Sequence, residues 1–277
     1  MLRQRIVTAL VLIAMLLPAL LAKAAWPFAV MSLTLIAAAG WEWGRLNGVG
    51  AASIGVGVLL AAMCAAALAV GWANAPPPGI WWVATLVWVL GGASVLQRGA
   101  AGWSRVPVVL RCATGLVLLW AAWLALAAAK AVGVNFILSV FCLVWTADIA
   151  AYFGGKAFGR RKLAPAISPG KSWAGVWSGM AGSLALAAIW LWLDTAVDID
   201  SPSLYTRLSV RLHATGLIGM VVFLAAMSVV GDLFESLVKR AAGAKDSSKL
   251  LPGHGGVLDS VDALLPVFPI AMALVTP

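Results

Sequence analysis

A succession of apolar runs, each close to the length needed to cross a bilayer, leaves this chain few architectures. The runs lie at 6–22, 25–40, 51–72, 80–96, 108–129, 134–153, 173–193, 214–231 and 257–275. A helix needs about 20 residues to cross a hydrocarbon core ~30 Å thick. Lipid offers no partner to backbone N–H and C=O groups, so apolar segments without strict alternation must satisfy them as helices. The expected fold is all-α: a polytopic transmembrane helical bundle of about nine spans, in one integral-membrane domain over 1–277. Composition agrees, with 63% hydrophobic and 10% charged residues, where about a quarter of a soluble domain is charged. Arg3 and Arg5 before the first run, and Ala-Lys-Ala after it, resemble a secretory signal. The run is long enough to span and others follow, so it reads as the first span.

An odd number of spans places the termini on opposite sides. With the N-terminus cytoplasmic, most cations fall inside and only Lys23, Lys130, Arg207 and Arg211 outside, as the positive-inside rule requires. The segments 154–172 and 232–256 then face the cytoplasm, in a site-bearing half, 134–277, that follows an N-terminal membrane scaffold, 1–133. Cations in short loops meet anionic lipid heads, so the net charge of +9 implies membrane lipids and no nucleic acid. Cys64, Cys112 and Cys142 lie apart in apolar runs and support neither a disulfide framework nor a metal site. DTAVDID at 194–200 lacks the glycine and terminal glutamate of a calcium loop and reads as a hydrated loop. His213 reads as a headgroup-zone residue, and many of the 15 Trp as interfacial belts.

Polar chemistry gathers at 231–265. Asp232 closes the eighth run, and Asp259 and Asp262 open the ninth at a spacing that puts both on one helix face. Asp148, inside the sixth run, is expected roughly 9 Å from its cytoplasmic end. A carboxylate within a span marks a functional site by default, although an ion pair between helices is the plainer alternative. Oxygen-only ligands at Asp148, Asp232, Asp259 and Asp262 suit Mg²⁺, with room for a second cation, and the lack of Cys/His pairs argues against zinc. Lys171, Lys239, Arg240 and Lys245 lie near, though loop cations also follow from topology alone. SPGKSWAG at 168–175 and LPGHGG at 251–256 lead into helices, whose N-terminal N–H groups favour anions. Carboxylates, cations and exposed N–H groups together make a site for phosphate chemistry. Ser172, Ser236 and His254 are the polar positioning candidates. Asp246 is either a site contact or an ion-pair partner of Lys245.

The run Ser236-Leu237-Val238-Lys239-Arg240, then Lys245-Asp246, then Leu251-Pro252-Gly253-His254-Gly255-Gly256-Val257-Leu258-Asp259, ending at Asp262, resembles the signature of the phosphatidate cytidylyltransferase family. Asp148-Ile149-Ala150-Ala151-Tyr152-Phe153-Gly154-Gly155 and Ile167-Ser168-Pro169-Gly170-Lys171-Ser172-Trp173 are similar to its second recognisable segment. The resemblance covers roughly 148–266, and the N-terminal half agrees in kind only. It implies transfer of a cytidylyl group from CTP to phosphatidate, with Mg²⁺, in a bacterial inner membrane and as a homodimer. It implies catalytic roles for Asp232, Lys239, Asp259 and Asp262, and substrate contacts from Lys171, Ser172, Ser236, Arg240, Lys245, Asp246 and His254. Two departures stand out: Ser260-Val261 where the family has Arg-X, and Ala174 where an acid or amide is common. Losing the arginine removes a bidentate cation, which leaves an inactivated member as one alternative. A CTP-dependent enzyme acting on another lipid phosphate or a polyprenol is another, and an ion-coupled lipid transporter a third.

Overall fold

The computed structural model describes residues 2–276, without the side chains of Leu2, Arg3, Arg5, Ile6 and Ala9. The Arg3 and Arg5 side chains used in the topology expectation therefore lie outside the described residues. Helices α1 (Leu2–Leu21), α2 (Trp26–Leu46) and α3 (Ser53–Ala69) come first. They are followed by α4 (Ile80–Leu86) and α5 (Gly92–Arg105), joined by a π turn at Val87–Gly91. Next come α6 (Val108–Val132), α7 (Val134–Phe158), a hairpin of β1 (Lys162–Ala164) and β2 (Ser168–Ser172), and α8 (Trp173–Ala196). The long α9 (Leu204–Ala241), the single turn α10 (Leu258–Val261) and α11 (Leu264–Val275) complete the chain. Every apolar run is helical. Among the described residues, 7 helical segments are long and apolar enough to cross a membrane. Neither α1 nor α2 is among them: the described apolar part of α1 is the shorter Leu10–Leu21, and α2 carries Glu42 and Arg45 in its last turns.

The helices outrun the expected loops. The polar segment before residue 214 is helical from Leu204, where Ser203 caps α9 by accepting from the Thr206 N–H at 3.2 Å. The helix kinks at His213, at φ 59°. At the other end α9 continues through Asp232 to Ala241, so much of the loop expected over 232–256 is helix. Glu235 and Lys239 form an (i, i+4) ion pair there, which supports the polar extension. In the segment 154–172, α7 runs to Phe158 and the hairpin follows.

Close packing fixes which polar groups meet. A Cβ on Gly175 or Gly179 of α8 would lie 2.9 Å from the Ala151 or Ala147 carbonyl of α7. Only glycine permits that approach, the small-residue packing that joins helices in lipid. Aromatic packing ties the N-terminal half to α9. Phe234 stacks on Trp43 with centroids 6.0 Å apart and meets Trp88 and Trp103 edge-on at 5.4 and 5.6 Å. These tryptophans are buried, so they belong to the core and not to the expected interfacial belts.

At the end of the bundle away from Asp232, the segment expected as a hydrated loop is exposed over 195–200 and also carries a capping network. Asp200 accepts from the N–H groups of Val134 (2.5 Å) and Asn135 (3.0 Å), capping α7 from outside. Asp194 accepts from the Asn135 amide (2.9 Å), the Ser203 N–H (3.1 Å) and the Thr206 hydroxyl (2.5 Å). Arg211 donates to the Leu274 and Thr276 carbonyls at 3.1 and 2.7 Å, capping α11. Asp200→Ala is expected to cost about 0.5–2 kcal/mol, the worth of a helix cap. Chemical unfolding in detergent measures that loss, and turnover per folded molecule should be unchanged.

Candidate active site

Three elements converge at the other end of the bundle because α9 and the α10–α11 segment cross at Gly231. A Cβ there would collide with the Asp262 carbonyl and with Pro266. The crossing sets Asp232 beside Asp262, which interact electrostatically, as do Asp262 and Glu235. From α7, Asp148 comes within electrostatic range of Asp232 and Lys171. It lies roughly 15 Å from the end of α7 at Phe158 by helical rise, farther than expected, because α7 extends past the apolar run. The hairpin contributes Lys171, which forms an ion pair with Asp232. Ser236, one turn along α9, donates to the other Asp232 oxygen at 3.3 Å.

A second cluster lies alongside. The Lys239 ammonium bridges Glu235 and Asp259, at 2.5 Å from each. The second Asp259 oxygen accepts from the Ser247 N–H, the Ser247 hydroxyl and the Gly256 N–H, each at 2.7 Å. Asp259 is therefore saturated and organises its own loop. Among the described residues, Asp148 and Asp262 have no ion pair of their own, and Asp262 accepts only from the following Ala263 N–H, at 2.7 Å. The carboxylates thus divide into closed and open ones.

The LPGHGG loop is held by a residue of the N-terminal half. Glu42, fully buried, accepts from the hydroxyls of Ser247 (3.1 Å) and Ser248 (2.5 Å) and from the N–H groups of Val257 (3.0 Å) and Leu258 (2.8 Å). Arg45 adds a bond to the Ser247 carbonyl at 2.6 Å. The loop must pass close over both carboxylates, and side chains would block it. A Cβ on Gly255 would meet an Asp259 oxygen at 2.6 Å, and one on Gly256 would overlap Glu42 and Ser247. The N–H groups expected to receive an anion at this helix start are thus occupied by Glu42 and Asp259. At the other expected anion site, Ser172 caps α8 by accepting from the Gly175 N–H at 3.2 Å.

The remaining candidates scatter around this centre. Arg240 ties the hairpin to α9 through the Ile167 carbonyl (3.2 Å) and also donates to the Ala244 carbonyl (3.2 Å). Lys245 and Asp246 are exposed, and no ion pair joins them among the described residues. His254 keeps a buried Nδ1 without a hydrogen-bond partner. Ser260 donates to the Gly256 carbonyl at 3.2 Å. Among the described residues, no three His, Cys, Asp or Glu side chains converge closely enough to form a closed metal cage.

Known proteins share this sequence across nearly its whole length. The model of the cytidylyltransferase family matches residues 3–276. The chain belongs to the cytidylyltransferase family. A protein of Pseudomonas aeruginosa named phosphatidate cytidylyltransferase is 38% identical over 284 residues, covering 99% of this chain and 97% of that protein. Proteins of the same name from Haemophilus influenzae and Bacillus subtilis are 47% and 37% identical over 137 residues, half of this chain and 44% and 46% of theirs. The match across 3–276 brings α2, and with it Glu42, inside the region this cytidylyltransferase-family chain shares with its relatives.

Sequence reasoning missed Glu42. Its signal was available: the one acid in the N-terminal half, in the run WEWGRL. Lys239→Met would leave Glu235 and Asp259 buried together without their shared ammonium. The expected cost is about 3–5 kcal/mol, the penalty for breaking a buried pair from one side. Unfolding in detergent measures it, and adding Glu235→Gln should restore part of the loss.

Proposed function

We propose that this chain transfers a cytidylyl group from CTP to phosphatidate, giving CDP-diacylglycerol and pyrophosphate. The observation that carries the reading is the open acidic group, Asp148, Asp232 and Asp262, beside Lys171 at one end of a helical membrane protein. The full-length similarity to a relative named phosphatidate cytidylyltransferase supports it.

The donor set fits a hard divalent cation such as Mg²⁺ by its chemistry, because its members are carboxylates in excess of the local cation. Asp232 and Asp262 would hold it together with phosphate oxygens, since Mg²⁺ sites commonly combine one or two carboxylates with substrate phosphates, and Asp148 would add to the negative field beside them. Asp259 falls outside the set, its oxygens being taken by Lys239, Ser247 and Gly256. A bound Mg²⁺ supplies neutralisation of triphosphate charge.

The chain's own groups do the positioning. Lys171, held by Asp232 on a short hairpin, presents an ammonium to the phosphates, and Ser236 orients Asp232 from the next turn. Lys239 fixes Asp259 and thereby the loop carrying His254. Arg240 holds the hairpin against α9, while exposed Lys245 and Asp246 flank the approach for CTP. A phosphate oxygen of phosphatidate attacks the α-phosphorus in line; that P–O bond forms as the bond to the pyrophosphate oxygen breaks. The attacking phosphate is already largely ionised near neutral pH, so catalysis rests on orientation and charge stabilisation.

The same reading extends to topology. The N-terminus, and the end of the bundle bearing Lys171, Lys239 and Arg240, face the cytoplasm of a bacterial inner membrane, with nine spans and a homodimeric assembly. The cation asymmetry supports the orientation. At the opposite end, Arg211 and Lys130 cap helix ends through the Thr276 and Leu20 carbonyls.

Purified protein given phosphatidate, Mg²⁺ and each labelled nucleoside triphosphate in turn should form lipid-linked nucleotide from CTP alone, with Ser260 as it stands. Asp262→Asn is expected to lower turnover about 100-fold or more at an unchanged unfolding midpoint. Product from another triphosphate, or from a different lipid phosphate only, would overturn the assignment.

A further inference from the structure

A cavity of about 490 Å³ lies between α1, α2, α6, α7 and α11, a size typical of ligand sites. Its walls are apolar, with Ala122 and Trp123 on α6 and Phe268 on α11. Apart from Ser32, whose hydroxyl donates to the Ala29 carbonyl at 3.1 Å, the polar lining is His254, Asp259 and Ser260 at one end. The lining runs from Ser260 on α10 to Phe268 on α11, so the space extends along the bundle from the polar end into its apolar interior. Two features tie it to the candidate site. Asp259 at its polar end is joined through Lys239 to Glu235, which in turn faces Asp262. His254 at the same end has a buried Nδ1 with no hydrogen-bond partner, a polar atom that a ligand headgroup would satisfy.

A nucleotide does not suit a space apolar over nearly all its depth. A molecule with a polar head and a long apolar tail does, and the proposed reaction uses one. We infer that the cavity holds an acyl chain of the acceptor phosphatidate, with the tail directed toward Phe268 and the glycerol phosphate end at His254. The inference rests on the reading of the chain as a phosphatidate cytidylyltransferase and adds where the lipid sits. It gives α1 and α2 a part in selecting the acceptor. Ala122, buried in the wall, is the position where added bulk would fill the cavity far from the reacting atoms.

Two measurements on the full chain in phosphatidylcholine nanodiscs test it. The first compares dioleoyl and dihexanoyl phosphatidate as acceptors for wild type and Ala122→Phe. The expected result is a kcat/KM for the dioleoyl lipid lowered on the order of 10-fold, as for a pocket that loses room for part of its ligand. The dihexanoyl value and the KM for CTP should not move. Equal losses on both lipids, or no loss on either, would overturn the site. The second uses wild type, and so decides the matter even if the variant fails to fold. Phosphatidate with a diazirine at the end of its acyl chain is photolysed, and the labelled peptides are mapped. Labels on α2, α6 and α11 that unlabelled phosphatidate removes and added phosphatidylcholine does not are expected. Labels confined to α3 or α8, or removed equally by both lipids, would contradict it. Transfer activity without phosphatidate-specific label rejects the cavity alone; specific label without transfer to any phosphatidate rejects the reaction and supports the lipid site.

Discussion

A carboxylate from the second helix, holding a loop near the far end of the chain, is the contact on which the site depends. Glu42 accepts four hydrogen bonds from Ser247, Ser248, Val257 and Leu258. Bonds to a charged group contribute about 1.5–3 kcal/mol each, and a buried acid without them would be costly. Mutual need therefore fixes the arrangement. The loop requires an acceptor for its free N–H groups, and the acid requires donors. The glycines at 255 and 256 are the local condition, since any side chain there would separate the two. With the loop fixed, Asp259 is directed to Lys239, and α10 ends at Asp262, beside Asp232.

The acids sort by what they still lack. Glu42, Asp259, Asp194 and Asp200 are engaged by amides, hydroxyls or an ammonium, and they hold elements in place. Asp148 and Asp262 have no ion pair of their own, and Asp232 shares one lysine with their field. In a chain with so few charges, an acidic excess at one place has a structural cost, because charges beside lipid are tolerated only when paired, hydrated or bound. The proposed binding of a divalent cation and phosphates gives a reason to keep it. The engaged acids and the open ones are equally acidic residues on the page, and packing alone separates them.

The helical membrane fold was legible because apolar run length is a direct measure of what a bilayer demands. Asp232, Asp259, Asp262, Lys171 and Lys239 were legible because polar residues clustered against an apolar background. Helix ends were not. The run 214–231 marks only the apolar middle of α9, whose polar ends are stabilised by Ser203 and by the Glu235–Lys239 pair. The internal bonds of Ser172 and of the 251–256 loop were hidden for a related reason. N–H groups at a helix start attract anions in general, but internal carboxylates and hydroxyls reach them first here. Asp194 and Asp200 belong to the same class, since their partners come from α7 and from the start of α9. Glu42 shows the limit most clearly: its partners lie at the other end of the sequence, and no local pattern pairs them.

The central claim, that the N-terminal half builds the site through Glu42, is tested most directly by amide hydrogen exchange in Glu42→Gln against the wild-type chain. An amide in place of the carboxylate keeps the shape and loses half of its acceptor capacity. The account predicts faster exchange at Ser247, Val257 and Leu258, with protection in α7 and α8 unchanged. It also predicts that turnover falls together with that local protection. Unchanged exchange at those amides, or full turnover from a loop that exchanges freely, would contradict it.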